Sequence, residues 1–374
     1  MSERIKVLYI VSTLKRCGPN NQLFNIVNNL DLTKFSPLVV TLSKEGSESF
    51  WSKFQDAGIN VHCLGLHRLF GLFTIKKKLL DVIANFEPKI IHTQGYRADT
   101  LVESISCRRT QWRHVCTVRN IPQQDYLMTY GRVVGEYMYK THMRSLKKVD
   151  FVVGVSKAVS DNLKSTFFLE NVSCINNGVD VNLYSPSSTE DVSAIKNELN
   201  IPKDKVIFIS TGHLSKRKDP EFLIEGFLKA NLENSILLLV GDGELKDLLT
   251  HKYSQEKSVF FIGRTKKISD YLKSSDYYIS CSKSEGLPNS VLEALSSGVP
   301  CILSNIEPHC QISKCANEKG VVTYNISSLR SYTDMLKFYY HENKYELSTS
   351  ARDVAINYFS AKNMSLKYQD IYVS

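Results

Sequence analysis

Apolar runs of four to seven residues recur along the chain from Ile5 onward with helical segments between them, and they form two separate series. Runs this short, with little polar alternation, fit strands buried on both faces. Their alternation with helices leaves a parallel sheet covered by helices as the fold class. In the first series strands are expected at 7–11, 38–42, 61–64, 90–93, 114–118, 151–155 and 172–175, with helices at 21–30 and 75–86 and a long basic one near 130–147. Turn residues at 176–186 break the rhythm, and the polar stretch 187–193 reads as a linker. The second series places strands at 206–210, 236–240, 259–262, 277–281, 301–304 and 321–323, then helices at 329–340 and 345–358. At 374 residues the chain exceeds the usual single core. Two doubly wound, Rossmann-like α/β domains are therefore expected, with a ligand in the cleft between their strand carboxyl ends.

The stretch after the run at 277–281 carries the most chemistry. Glu285 to Glu293 reads Glu-Gly-Leu-Pro-Asn-Ser-Val-Leu-Glu, and the helix it opens closes at Gly298 and Pro300. Gly286 relaxes the loop, and Pro288 suits a first helical turn, where its missing N–H costs nothing. The helix start aims free N–H groups and partial positive charge into the space Glu285 faces. Glu285 precedes the helix and Glu293 lies about one and a half turns into it. Two carboxylates thus bracket an anion-binding backbone, a layout that fits a ligand with a phosphate centre and hydroxyl groups at both ends.

Other loops fall at equivalent places. Lys216, Arg217 and Lys218 follow the first strand of the second series, where ligands bind in such sheets and where a diphosphate is the natural partner. Gly241-Asp-Gly-Glu244 reads as a tight turn on the same sheet edge, and the backbone around Arg264, one strand later, is either a contact for the edge of a nucleobase or a plain connector. In the first series Gly18 lies between strand one and helix one, where backbone approaches phosphate. His92 ends the fourth strand and is expected to face the cleft, as a structural hydrogen-bonding group or as a base.

Several classes are excluded. The loop at Gly18 lacks the spaced glycines of a dinucleotide fingerprint, and no Gly-Lys-Ser/Thr loop of a common ATPase occurs. No Asp-x-Asp pair and no His/Cys cluster with metal spacing is present, so phosphate charge is expected to be neutralised by side chains and helix dipoles without a metal. Nine cysteines without a Cys-x-x-Cys pair suit a reduced, cytoplasmic chain. No apolar run approaches the ~20 residues of a membrane helix. The +9 charge is concentrated early: residues 1–190 carry 24 Lys and Arg against 16 Asp and Glu.

These loops together resemble the family 4 glycosyltransferases, retaining enzymes of the two-domain GT-B fold. Glu285 and Glu293 stand at the family's paired glutamates. Gly212 to Asp219 stands where the family has Gly-Arg-Leu, three residues, then Lys-Gly, and Asn177 to Asp180, Val240 to Gly243 and Gly298 to Pro300 fit further blocks. The resemblance covers nearly the whole chain and is most specific over 206–305. It implies an acceptor-binding domain at 1–188, with 359–374 packing back on it, and a donor-binding domain at 189–358. It implies that Lys218 binds the donor diphosphate and Glu293 the ribose, while Glu285 holds the donor sugar with the backbone of Gly286, Leu287, Pro288 and Asn289. Gly18, Gly212, His213, Arg217 and Arg264 complete the expected donor contacts.

Three positions depart from the family pattern. His213 replaces an arginine, Asp219 replaces a glycine and is expected to cap the following helix, and Arg119 stands where many members carry a histidine. Arg119 suits an anion clamp better than a base, because it does not deprotonate. A retaining transfer can use the departing diphosphate itself as the base. The implied donor is a UDP- or GDP-sugar, with no cofactor and no nucleic-acid partner. The implied acceptor is a lipid-diphosphate-linked glycan of a bacterial surface polysaccharide, met by peripheral contact with an anionic membrane. The basic, apolar stretch 67–79 suits an interfacial segment on anionic lipid, or equally an ordinary amphipathic surface helix. A soluble acceptor, or nucleotide-sugar binding without catalysis, are the competing readings.

Overall fold

The computed structural model describes residues 3–66, 72–105, 111–316 and 319–374. The chain separates into two compact units. One runs to Gly178 and resumes over Ala361–Ser374; the other is Val179–Ser360.

In the first unit, β1 (Ile5–Val11), β2 (Phe35–Ser43), β3 (Asn60–Leu66), β4 (Ile90–Gln94), β5 (Arg113–Val118), β6 (Phe151–Gly154) and β7 (Val172–Cys174) form one sheet. The order is β3-β2-β1-β4-β5-β6-β7 and all pairings are parallel. Its helices are α1 (Gly18–Asn28), α2 (Trp51–Asp56), α3 (Leu72–Phe86), α4 (Tyr96–Ile105), α5 (Pro122–Leu146) and α6 (Lys157–Phe167). Side chains of β1 divide by parity, as a strand's period of two requires. Val7, Tyr9 and Val11 enter one core layer with Leu23, Ile26 and Val27 of α1. Leu8 and Ile10 enter the other with Leu79 of α3 and Val102 of α4. The strand order reverses between β1 and β4, the switch point at which such sheets open a crevice.

In the second unit, β8 (Val206–Thr211), β9 (Ser235–Val240), β10 (Val259–Gly263), β11 (Tyr277–Ser280), β12 (Cys301–Ser304) and β13 (Val321–Tyr324) form a second parallel sheet in the order β10-β9-β8-β11-β12-β13. Around it lie α7 (Thr189–Glu198), α8 (Pro220–Ala230), α9 (Lys246–Lys252), α10 (Ile268–Lys273), α11 (Asn289–Ser296), α12 (Glu307–Cys315), α13 (Leu329–Tyr340) and α14 (Lys344–Phe359). A last helix, α15 (Ala361–Val373), belongs to the first unit, where Met364, Tyr368 and Tyr372 join the same core layer as Val7 and Tyr9.

Four local expectations change. The stretch 187–193 is not a linker: Ser188 caps α7, accepting from the Asp191 N–H, and the polar residues after it are the helix's acidic first turn. The long basic helix begins earlier, at Pro122, and is interrupted at Gly131. Asp219 does not cap α8 with its side chain. It sits at φ 49°, ψ 54°, a left-handed conformation in which glycine is the easiest residue, and its carboxylate pairs with Lys283 at 2.7 Å. Of the segment 67–79, residues 67–71 lie outside those described. Ile75 and Leu79 are spent on the first unit's core rather than offered outward.

Candidate active site

The second unit builds its site from loops at the carboxyl ends of β8, β9 and β11. Gly212 and Gly241 end adjacent strands, and they bring two backbones into contact. A Cβ on Gly241 would lie 1.7 Å from the Gly212 carbonyl oxygen, and one on Gly243 would lie 2.4 Å from that of Leu214. Leu214 donates its N–H to Asp242 O at 2.9 Å, and Leu245 donates to Leu214 O at 3.1 Å. The two loops are therefore one backbone platform. Lys218 lies over it, its Cε 3.7 Å from where a Gly212 Cβ would stand.

The loop after β11 is tied to that platform by charge. Glu285, 8% exposed at its side chain, receives Lys218 Nζ on Oε1 and Arg217 Nη1 on Oε2, each at 2.7 Å. Arg217 also donates to Ser284 O, and the Lys283 N–H donates to Arg217 O at 2.8 Å. Burial pushes the Glu285 carboxyl up, but Lys218 and then Arg217 overcome this and hold it at about 2. Its stabilising contribution is present above the unfolded carboxyl pKa of about 4.3 and is lost as pH falls through the folded value. The stability gap between wild type and Glu285→Gln should be constant above about pH 5 and close towards pH 2. Unfolding midpoints measured across that range check it; a gap that stays open at the acid end contradicts the ion pair.

α11 begins one residue later than its sequence suggests. Pro288 is the flanking residue, at φ −75° and ψ 113°, and Asn289 opens the helix. Gly286, Leu287 and Pro288 are buried. Glu293, half-buried on α11, accepts a hydrogen bond from the Tyr184 hydroxyl. Tyr184 is fixed in turn, because its carbonyl accepts from Ser296 Oγ at 2.6 Å and from Arg352 Nη1 at 2.7 Å. Lys218, Arg217, Glu285 and Gly212 are thus brought together, and Glu293 extends from the same loop and helix. His213 is exposed and pairs with Glu244 at 3.0 Å. Arg264 lies exposed just beyond β10.

In the first unit Gly18 opens α1 with Pro19 in its first turn. Arg119 ends β5 and donates from Nη1 to Asn177 Oδ1 at 2.7 Å and from Nη2 to Gln94 Oε1 at 2.8 Å. It lines a cavity of about 390 Å³ together with Cys17, Gln94, Tyr126, Tyr130 and His142. His92 does not reach that cavity. Its ring is fully buried, with Nδ1 2.6 Å from Tyr372 Oη and Nε2 2.8 Å from Thr117 Oγ1. Burial, reinforced by nearby Arg119, holds it well below the ordinary histidine range. Of its two expected roles His92 takes the structural one, because its position on β4 turns it toward α15 rather than to the strand end.

Two features carried little sequence signal. Asp99, His142 and Tyr126 form a buried chain in the first unit, with Asp99 Oδ2 2.9 Å from His142 Nε2 and His142 Nδ1 2.8 Å from Tyr126 Oη. His309, fully buried on α12, has Nδ1 2.9 Å from Ser304 O, and burial lowers its pKa to about 4. Among the described residues no group of three or more His, Cys, Asp or Glu is placed to hold a metal ion, and no helix is long and apolar enough to cross a membrane.

Two family models match this chain in succession: "Glycosyltransferase Family 4" over residues 18–183 and "Glycosyl transferases group 1" over residues 191–348. The chain is a family 4 glycosyltransferase. An Escherichia coli protein named "O-antigen biosynthesis glycosyltransferase WclY" is 27% identical to this glycosyltransferase across 98% of both chains. Another E. coli protein, "UDP-Gal:alpha-D-GlcNAc-diphosphoundecaprenol alpha-1,3-galactosyltransferase", is 28% identical over 54% of each. Among solved structures, the Anabaena HepE protein in complex with UDP and glucose superposes with a TM-score of 0.83 at 16% identity, covering 99% of this chain and 100% of that one. A sucrose-phosphate synthase from Thermosynechococcus elongatus follows at a TM-score of 0.79 and 15% identity, over 99% and 98%. At such identities the likeness is one of fold, and the fold is GT-B.

Proposed function

We propose that this glycosyltransferase moves a sugar from a UDP- or GDP-sugar to a lipid-diphosphate-linked glycan in bacterial surface polysaccharide synthesis, with the anomeric configuration retained. The observation that carries this reading is the buried Glu285 held between Lys218 and Arg217 on the Gly212–Gly241 platform. Lys218 takes the donor diphosphate, aided by the start of α11, and Glu293 takes the ribose hydroxyls. Glu285 and the backbone of Gly286 to Asn289 hold the sugar. The departing diphosphate oxygen accepts the proton of the attacking hydroxyl, so no side-chain base is needed. The chain's part is to stabilise separated charge as the glycosidic bond breaks, which fixed cations do most effectively in a water-poor site. Arg119, half-buried and hydrogen-bonded at both terminal nitrogens, clamps an anionic group. The O-antigen name of the full-length relative and the diphosphoundecaprenol acceptor named for the second one support the acceptor class.

Thermal shift against a panel of nucleotide sugars identifies the donor, since binding to the native state raises its apparent stability. Turnover with that donor and a polyprenyl-diphosphate glycan then tests the reaction. It should persist in chelator, and the product anomer should match the donor. Release of nucleoside diphosphate only with a water-soluble acceptor would move the reading to soluble glycan or metabolite transfer. No release with any acceptor would leave a binding protein. Glu293→Ala should weaken donor binding by about 1–3 kcal/mol through loss of charged hydrogen bonds, measured by calorimetric titration. Unchanged affinity contradicts the ribose assignment.

A further inference from the structure

α5 is not a single rod. Gly131 stands at φ 75°, ψ 177°, outside helical geometry, so the element is an elbow of two helical arms. The second arm lies against the first at Gly135, where a Cβ would meet the Tyr126 carbonyl oxygen at 2.5 Å. The buried chain from Tyr126 through His142 to Asp99 pins the inner side of the elbow to α4.

The outer side is bare. Met128, Tyr130, Val133, Val134 and Tyr137 are 57, 52, 84, 52 and 66% exposed. Five of the sixteen large apolar side chains that the described residues expose therefore fall within ten consecutive positions. Val133, Val134 and Tyr137 share one helical face, and along the same ridge, at the next turns, come Lys140 and Arg144, followed by Lys147 and Lys148. Arg132 sits at the tip itself. From 127 to 148 there are five Lys and Arg against the single acid Glu136; Lys140 pairs with Glu136 at 3.1 Å and Lys148 with Glu103 at 2.7 Å, so Arg132, Arg144 and Lys147 carry the exposed positive charge.

We propose that this elbow docks the enzyme on an anionic phospholipid surface. The apolar tip enters the boundary between headgroups and acyl chains, and the cationic ridge lies against lipid phosphates. A patch of this kind on an otherwise ordinary surface marks an interaction site, and its charge selects the occupant. The inference rests on the proposed lipid-linked acceptor and gives it a place. Tyr126, Tyr130 and Met138 of the elbow line the first-unit cavity, so a molecule carried in the bilayer would meet that cavity at the membrane surface.

The test is flotation of the full chain with phosphatidylethanolamine vesicles, with and without phosphatidylglycerol. Wild type should float with the anionic vesicles only, and less as salt rises. Combined Val133→Ser, Val134→Ser and Tyr137→Ser should reduce vesicle partition at least about tenfold, as should combined Arg132→Gln, Arg144→Gln and Lys147→Gln. All six positions lie outside the donor site and cavity lining, so melting temperature and vesicle-free donor hydrolysis should be unchanged. Hydrolysis absent from every protein while flotation behaves as stated would remove the transferase reading and keep the docking surface. Wild type that ignores anionic vesicles overturns the proposal. So do variants that float as well as wild type, or variants that convert a solution dimer to monomer without altering flotation.

Discussion

Replacing Lys218 with alanine should lower kcat by about 10²- to 10³-fold, the loss expected when one preorganised charge-stabilising group leaves an active site. The geometry makes this more than the removal of a surface cation. Glu285 is buried and ionised, and it holds the ammonium at 2.7 Å over the glycine platform, so the positive charge is in place before any donor arrives. Arg217 remains on the other carboxylate oxygen in the variant and keeps Glu285 paired. Folding should therefore suffer far less than turnover. Steady-state kinetics at saturating acceptor, read beside the thermal midpoint, separate the two effects. Ordinary turnover in this variant would remove Lys218 from the leaving-group role.

Gly241→Ala should be the most damaging single methyl in the second unit. The added carbon would fall 1.7 Å from a backbone carbonyl oxygen, and backbone cannot rotate away as a long side chain can. Either β9 and β8 separate at their carboxyl ends or the Gly212 loop moves, and both disturb the surface beneath Lys218. A destabilisation of about 3 kcal/mol, at the upper end for overpacking, is expected. Loss of the thermal shift given by the donor should accompany it. Gly46→Ala is the control, because nothing lies within 4 Å of a Cβ there. Equal unfolding midpoints for the two variants would show that the loops are not locked together.

How much of this could be read from the sequence depended on whether the cause was local. The strand at 277–281, the Pro288 turn and the two glutamates are neighbours along the chain, and their relation survives folding almost unchanged. The meeting of Lys218 with Glu285 follows from β8 and β11 being adjacent in the sheet. The direction expected for His92 failed for the opposite reason, although its structural role was one of the two foreseen. Its direction is set by which side chains cover β4, and those come from α15, 280 positions away for Tyr372. The chain from Asp99 to His142 likewise spans 43 positions. Asp219 misled because aspartate caps helices so readily. Its left-handed backbone accounts better for the glycine that the family carries there. The polar stretch at 187–193 misled because a capped helix start and a linker share a composition.

The placement of α15 has a consequence for biosynthesis. Tyr368 and Tyr372 close the core layer beneath Tyr9, and Tyr372 Oη lies 3.2 Å from Tyr9 Oη. During translation the earliest-made strands must wait, incompletely covered, until residues 361–373 leave the ribosome. By then the intervening unit has already emerged and is free to fold first. Nascent first-unit strands are thus exposed to misassembly for longer than those of the second unit, and removing the last turns of α15 would injure β1 and its neighbours, made about 300 residues earlier, rather than the elements next to it.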